Sequence, residues 1–155
     1  MIAQTVDRSE LLRPFVPRLE VQWLREFPDA RELELAGSLA FVDISGFTTL
    51  TERLAKKGKI GAEELTEILD EVFGELLDVA YRDGAGLIKW GGDAVLLLFH
   101  DEEHAARACH AAYGMRRVMR RIGHVRTSVG RVTLRMSVGI HSGTFDFFLV
   151  GDDHR

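Results

Sequence analysis

The sequence predicts an α+β domain, a split β-α-β-β-α-β sandwich in which helices pack on one sheet. Three observations carry this. An apolar run of strand length, "SLAFVDI" (38–44), precedes a long helical pattern. Two further apolar runs, "LIKW" (87–90) and "AVLLLF" (94–99), are joined by Gly91, Gly92 and Asp93, a hairpin signal because glycine supplies the positive φ of a tight turn. A second helical pattern (101–123) is followed by an alternating run (130–143), as a half-buried strand requires. The order is that of a ferredoxin-like sandwich.

Taken in order, residues 8–36 read as helical but interrupted, because Pro14, Pro17 and Pro28 each remove a helix donor. Residues 1–36 are therefore expected to be a lead-in whose Trp23, Leu24 and Phe27 pack on the main body, and 37–155 the domain proper. "GFTTLTERLAKKG" reads as a short amphipathic helix stopped near Gly58. The strongest helical signal follows: Leu65, Ile68, Leu69, Val72, Phe73, Leu76, Leu77 and Ala80 share one face, and Gly84 and Gly86 end it. The 101–123 helix starts acidic and ends basic, which suits its dipole. "TFDFFLVGDD" is a candidate further strand.

The composition is that of a globular domain: 155 residues, 46% hydrophobic and 28% charged, with net charge −4. That balance gives no general basic field for nucleic acid. The basic stretch "RRVMRRIGHVR" (116–126) reads as a solvated helix face. No apolar run reaches the roughly 20 residues of a membrane span, and the N-terminus lacks a signal-peptide pattern. The one cysteine, Cys109, rules out an internal disulfide framework and is expected to be a small core residue. The expectation is a cytoplasmic chain.

Two carboxylates stand out. Asp43 ends the first apolar run just before a Ser-Gly turn, and Asp93 sits in the Gly-Gly-Asp turn. In the split sandwich the first strand and the hairpin are neighbours, so the two aspartates converge. Paired carboxylates with oxygen-only chemistry suit Mg²⁺ or Mn²⁺, which complete their shells with water and phosphate oxygens. The turn Ser45-Gly46-Phe47-Thr48 opens a helix, and its amides favour a phosphate. The alternatives are structural: Asp43 as a helix cap and Asp93 as a turn residue. His100, His104, His110 and His141 lack ligand spacing and read as surface or packing residues.

Together "FVDISGFTTLTERL", "GAEELTEILDEVFGELL", "LIKWGGDAVLLLF" and "LRMSVGIHSGTFDFFLVGD" resemble the signature segments of class III nucleotidyl cyclases, over about residues 36–155. The branch that includes soluble, bicarbonate-responsive adenylyl cyclases is most similar. The resemblance implies a nucleotide cyclase fold and two Mg²⁺ or Mn²⁺ ions held by Asp43, Asp93 and the Ile44 carbonyl. It implies a triphosphate cradle at Gly46, Phe47 and Thr48, and a base-reading Lys89. A lysine donates to N1 of adenine, whereas guanine-specific sites commonly carry glutamate there, so ATP is the expected substrate. The bland reading of Lys89 is an edge-strand lysine with its head in water.

The family's sites lie between two cyclase domains, so a homodimer or a pairing with a second cyclase domain is implied. A later family segment supplies an asparagine and an arginine to the transition state. The 155 residues contain no asparagine, and Arg155 is no credible match for that arginine. The expectation is a chain that lacks the C-terminal strands and helix, with an unpaired sheet edge and poor turnover on its own. The functional expectation is adenylate cyclase chemistry, ATP to cyclic AMP and pyrophosphate. Two alternatives are a non-catalytic nucleotide-binding or dimerisation module and a diguanylate cyclase-like domain. The last is suggested by "GGD" but opposed by Ala94, where that family carries glutamate.

Overall fold

The computed structural model describes residues 16–100 and 102–150. Pro14 and the rest of the segment before residue 16, Asp101 and the closing "GDDHR" lie outside the described residues. The elements are α1 (Arg18–Glu26), β1 (Glu32–Ser45), α2 (Phe47–Ala55), α3 (Lys59–Arg82), β2 (Gly86–Trp90), β3 (Ala94–Phe99), α4 (His104–Ile122), β4 (His124–Thr127), β5 (Gly130–Thr133) and β6 (Arg135–Phe148). The main sheet has the order β2-β3-β1-β6, with β3 and β6 both antiparallel to β1; β4 and β5 form a separate hairpin. This is the predicted split sandwich, with the first strand in the centre.

The alternation of β1 decides the layers. Ala40, Val42 and Ile44 are buried, and cross-strand neighbours Leu97 and Val95 share their face. Against this face pack Ile68, Val72, Phe73, Leu76 and Ala80 of α3 and Ala108, Ala111, Met115 and Met119 of α4. The helical face read in the sequence of α3 is thus the core face. The opposite sheet face carries Phe41, which is 53% exposed, whereas Phe99 on β3 is 1% exposed. Phe99→Ala is therefore expected to cost about 3–5 kcal/mol in urea denaturation, and Phe41→Ala under about 1 kcal/mol.

Four expectations need correction. Residues 32–36 are strand, not helix: Glu32 to Ser45 pair without a break with Phe148 to Arg135. The Glu-Leu repeat has helix propensity, but a distant partner strand overrides it. The run 130–143 is not one strand. Val132 pairs with Val125 in the small hairpin, and Met136 pairs with Ile44 in the main sheet. The switch falls at buried Leu134, whose N–H donates to the Gly123 carbonyl at 2.7 Å. Cys109 is exposed, because the inward stripe of α4 runs through Ala108, Ala111 and Met115 and leaves Cys109 on the flank. Trp23 is buried and donates to the Ala30 carbonyl at 3.1 Å, but Leu24 and Phe27 are exposed.

Polar contacts tie the layers together. Buried Ser38 bonds His104 Nδ1 at 2.8 Å and Ser142 Oγ at 2.6 Å, so His104 is a packing residue. His110 Nδ1 meets Asp83 at 2.9 Å and Arg121 meets Glu75 at 2.7 Å, both bringing α4 to α3 or its C-terminal end. Glu64 holds the β4–β5 turn: the Ser128 N–H and hydroxyl donate to its two oxygens at 2.7 and 2.6 Å. These donors favour the carboxylate and hold its pKa below the ordinary value. A lowered folded pKa stabilises above the unfolded pKa, and the gain is lost as pH falls through the folded one. Ser128→Ala should thus destabilise at neutral pH, and the difference from the parent should vanish in acid; urea melts from neutral pH down through the carboxylate range test this.

Candidate functional site

Alternation along β1 puts Asp43 on the open face while Val42 and Ile44 point into the core. Asp43 lies opposite Ala94 on one side and Ser137 on the other. The β2–β3 connection is tight: the Gly91 N–H donates to the Ala94 carbonyl at 2.8 Å, and Gly92 has φ +73°. Asp93 follows in that turn, and its carbonyl accepts from the Ile44 N–H at 3.0 Å. The two aspartates therefore sit at the same end of the two central strands, as the topology predicted. Both are half-buried. In an antiparallel ladder a residue's N–H and C=O leave the strand on one side, so the Ile44 carbonyl is also directed toward Asp93.

Gly46 turns the chain from β1 into α2. Its φ is +93°, and a Cβ there would stand 2.7 Å from the Thr133 carbonyl oxygen, so only glycine fits. Its own carbonyl accepts from the Leu50 N–H at 3.2 Å, which starts the helix. The first-turn amides of Phe47 and Thr48 have no acceptor within the helix. No acidic residue lies in that first turn, so the positive end of the helix is left unbalanced. Phe47 is half-buried and Thr48 is exposed.

Lys89 is exposed on β2, opposite Leu96, which in turn lies opposite Phe41. Cross-strand partners share a face, so Lys89 faces the same side of the sheet as Asp43. Two strand spacings, roughly 10 Å, separate β2 from β1. The residues singled out in the sequence thus form two groups. Asp43, Ile44, Asp93, Gly46, Phe47 and Thr48 cluster at one sheet end, and Lys89 stands across the open face. Arg135 carries no signal in the sequence. It lies opposite Ser45, whose hydroxyl donates to the Arg135 carbonyl at 3.5 Å, and that nearness is created by β1–β6 pairing alone.

Among the described residues, no group of three or more His, Cys, Asp or Glu side chains gathers to hold a metal. Two carboxylates and a main-chain carbonyl nevertheless fit Mg²⁺ or Mn²⁺, which take few protein ligands and fill the rest with water and substrate oxygens. The donors present fit such an ion and would not suit a closed zinc site.

The protein is thus an α+β sandwich with two carboxylates and the N-terminus of α2 at one end of its main sheet. Residues 35–155 match the family described as adenylate and guanylate cyclase catalytic domain, and the chain belongs to this class III cyclase family. It is 27% identical over 132 residues to adenylate cyclase type 10 of Oryctolagus cuniculus, an alignment covering 77% of this chain and 8% of that protein. Among solved structures it is similar to the adenylyl cyclase CyaB of P. aeruginosa, with TM-score 0.65 and 25% identity over 81% of this chain and 65% of that one. The guanylyl cyclase Cya2 is as similar, with TM-score 0.66 and 25% identity over 81% and 63%. Among the described residues no helix is long and apolar enough to cross a membrane.

Proposed function

We propose that this domain converts ATP to cyclic AMP and pyrophosphate by in-line attack of the 3′-hydroxyl on the α-phosphorus. The observation that carries the reading is the hydrogen bond from Ile44 N–H to the Asp93 carbonyl, at the sheet end where both aspartates lie. Asp43, Asp93 and the Ile44 carbonyl would hold the divalent ions. When bound, these lower the pKa of the attacking hydroxyl and neutralise charge on the leaving phosphates. The Gly46–Thr48 amides cradle the phosphates and fix their register for in-line geometry. Lys89 reads the adenine edge, which supports ATP over GTP although the similar proteins include both kinds of cyclase. The open sheet face, with Phe41 exposed beside Asp43 and Lys89, suits a second cyclase domain as partner.

Cyclic AMP formation from ATP with Mn²⁺ tests this, on the chain beside a version extended through the family's asparagine- and arginine-bearing segment. Activity in the extended version, lost on Asp43→Ala, supports the reading. ATP binding without product in both versions moves the assignment to a regulatory nucleotide-binding module. Lys89→Glu is expected to lower kcat/KM for ATP by roughly tenfold to a hundredfold while sparing GTP, because it removes the donor to adenine N1 and adds an acceptor. A parallel loss with both nucleotides would place Lys89 outside base reading.

A further inference from the structure

The basic stretch 116–126 is more than a solvated helix face. α4, the small hairpin and the start of β6 line an open cavity of about 350 Å³, with Arg116, Arg120 and His124 exposed at it over buried Met119 and Leu134, and with Arg135 also in its lining. All three arginines are exposed, and none has an acidic partner among the described residues. The neighbouring hairpin adds to the field. Arg126 lies directly opposite Arg131 across β4–β5, a like-charge pairing, and Arg126 also lines a second pocket together with Glu64, Glu67 and Glu71 of α3. In a chain of net charge −4, this concentration of positive charge is local and directed.

We propose that this cavity binds a polyphosphate anion through the guanidinium groups of Arg116 and Arg120, one helical turn apart on α4. The charge count favours phosphoryl over carboxylate ligands: two arginine cations match a phosphoryl dianion, whereas one carboxylate leaves one unbalanced. Guanidinium forks bind phosphate oxygens two at a time, which fixes orientation as well as charge. The cavity also adjoins the phosphate turn. Thr133, one of its lining residues, is the residue whose carbonyl would meet a side chain at Gly46. Two sources share this chemistry: the pyrophosphate end of the nucleotide, before or after release, and a separate phosphorylated small molecule. Binding here uses neither Asp43 nor Asp93 and needs no divalent ion, so it stands or falls apart from the cyclase reading.

The test is calorimetric titration of the chain with sodium pyrophosphate in metal-free buffer. Arg116→Gln/Arg120→Gln is the pocket variant, and Arg82→Gln/Arg117→Gln is the control, with the same change of charge at exposed helical arginines outside the cavity lining. Glutamine keeps helix propensity, and thermal melts verify folding. Removing each charge-assisted hydrogen-bonding group should weaken binding roughly tenfold, so the pocket variant should fall about a hundredfold and the control by less than about threefold. Equal weakening in pocket and control variants, or no binding by the parent chain at millimolar pyrophosphate, overturns the site. Competition with a non-hydrolysable ATP analogue assigns the source: mutual exclusion supports the nucleotide's own phosphates, and simultaneous binding supports a separate phosphorylated ligand.

Discussion

On the proposed cyclase reading, Asp43→Asn is expected to lower cyclic AMP formation by the extended version roughly a thousandfold or more while leaving the fold intact. The substitution keeps the size of a half-buried side chain on the open face and removes only the charge that would hold the divalent ions. Its thermal melt should match that of the parent, because the Asp43 side chain lies on the sheet face opposite the hydrophobic core. The stronger form of the test mixes two impaired variants. If one protomer supplies the aspartates and its partner supplies Lys89, Asp43→Asn and Lys89→Ala chains should complement each other. Random pairing makes half the dimers mixed, and each mixed dimer has one intact site, so activity should return to about a quarter of the parent level. The geometry motivates this: Asp43 and Lys89 share a face but stand roughly two strand spacings apart. No recovery on mixing, with dimers confirmed by sedimentation, would mean that one chain supplies both groups.

Gly46→Ala should destabilise the domain by about 2–4 kcal/mol. Two costs add there. An L-residue at φ +93° is strained, and the new methyl would stand 2.7 Å from the Thr133 carbonyl, so β5 or α2 must move. Gly92→Ala separates the two, because Gly92 also has positive φ, +73°, but has nothing within 4 Å of its Cβ position. It should cost only the conformational part, about 1–2 kcal/mol. The difference between the two in urea denaturation measures the contact with Thr133. Equal losses would show that β5 yields freely. Because Thr133 also lines the arginine cavity, Gly46→Ala should weaken pyrophosphate binding as well, whereas Gly92→Ala should not.

The apolar runs, the glycine turns and the long amphipathic helix make the split sandwich readable in the chain itself. Their periods are local, and both α3 and the β2–β3 hairpin lie where the pattern puts them. The aspartate pair is legible for the same reason: once the strand order is known, the ends of β1 and β3 must be neighbours. Local pattern misleads where a distant segment makes the decision. Residues 32–36 carry glutamate and leucine, good helix formers, yet they pair with residues 144–148. Alternation runs unbroken from Val132 to Met136, and nothing in it marks the change of partner at Leu134. Cys109 lies one position from the buried stripe of α4, a difference of about 100° around the helix that only the packing resolves.

By itself the sequence determined the split-sandwich core order, the core face of α3 and the β2–β3 hairpin, because each rests on local period or turn chemistry. Tertiary structure alone decided which groups face each other: Ile44 with Asp93, Ser45 with Arg135, and Arg116 and Arg120 with Thr133 and Leu134 around one cavity. Those meetings depend on register and on the way α4 lies against β6. A one-residue slip would turn every strand side chain to the other face, and no local pattern encodes where two segments far apart in the chain come to rest.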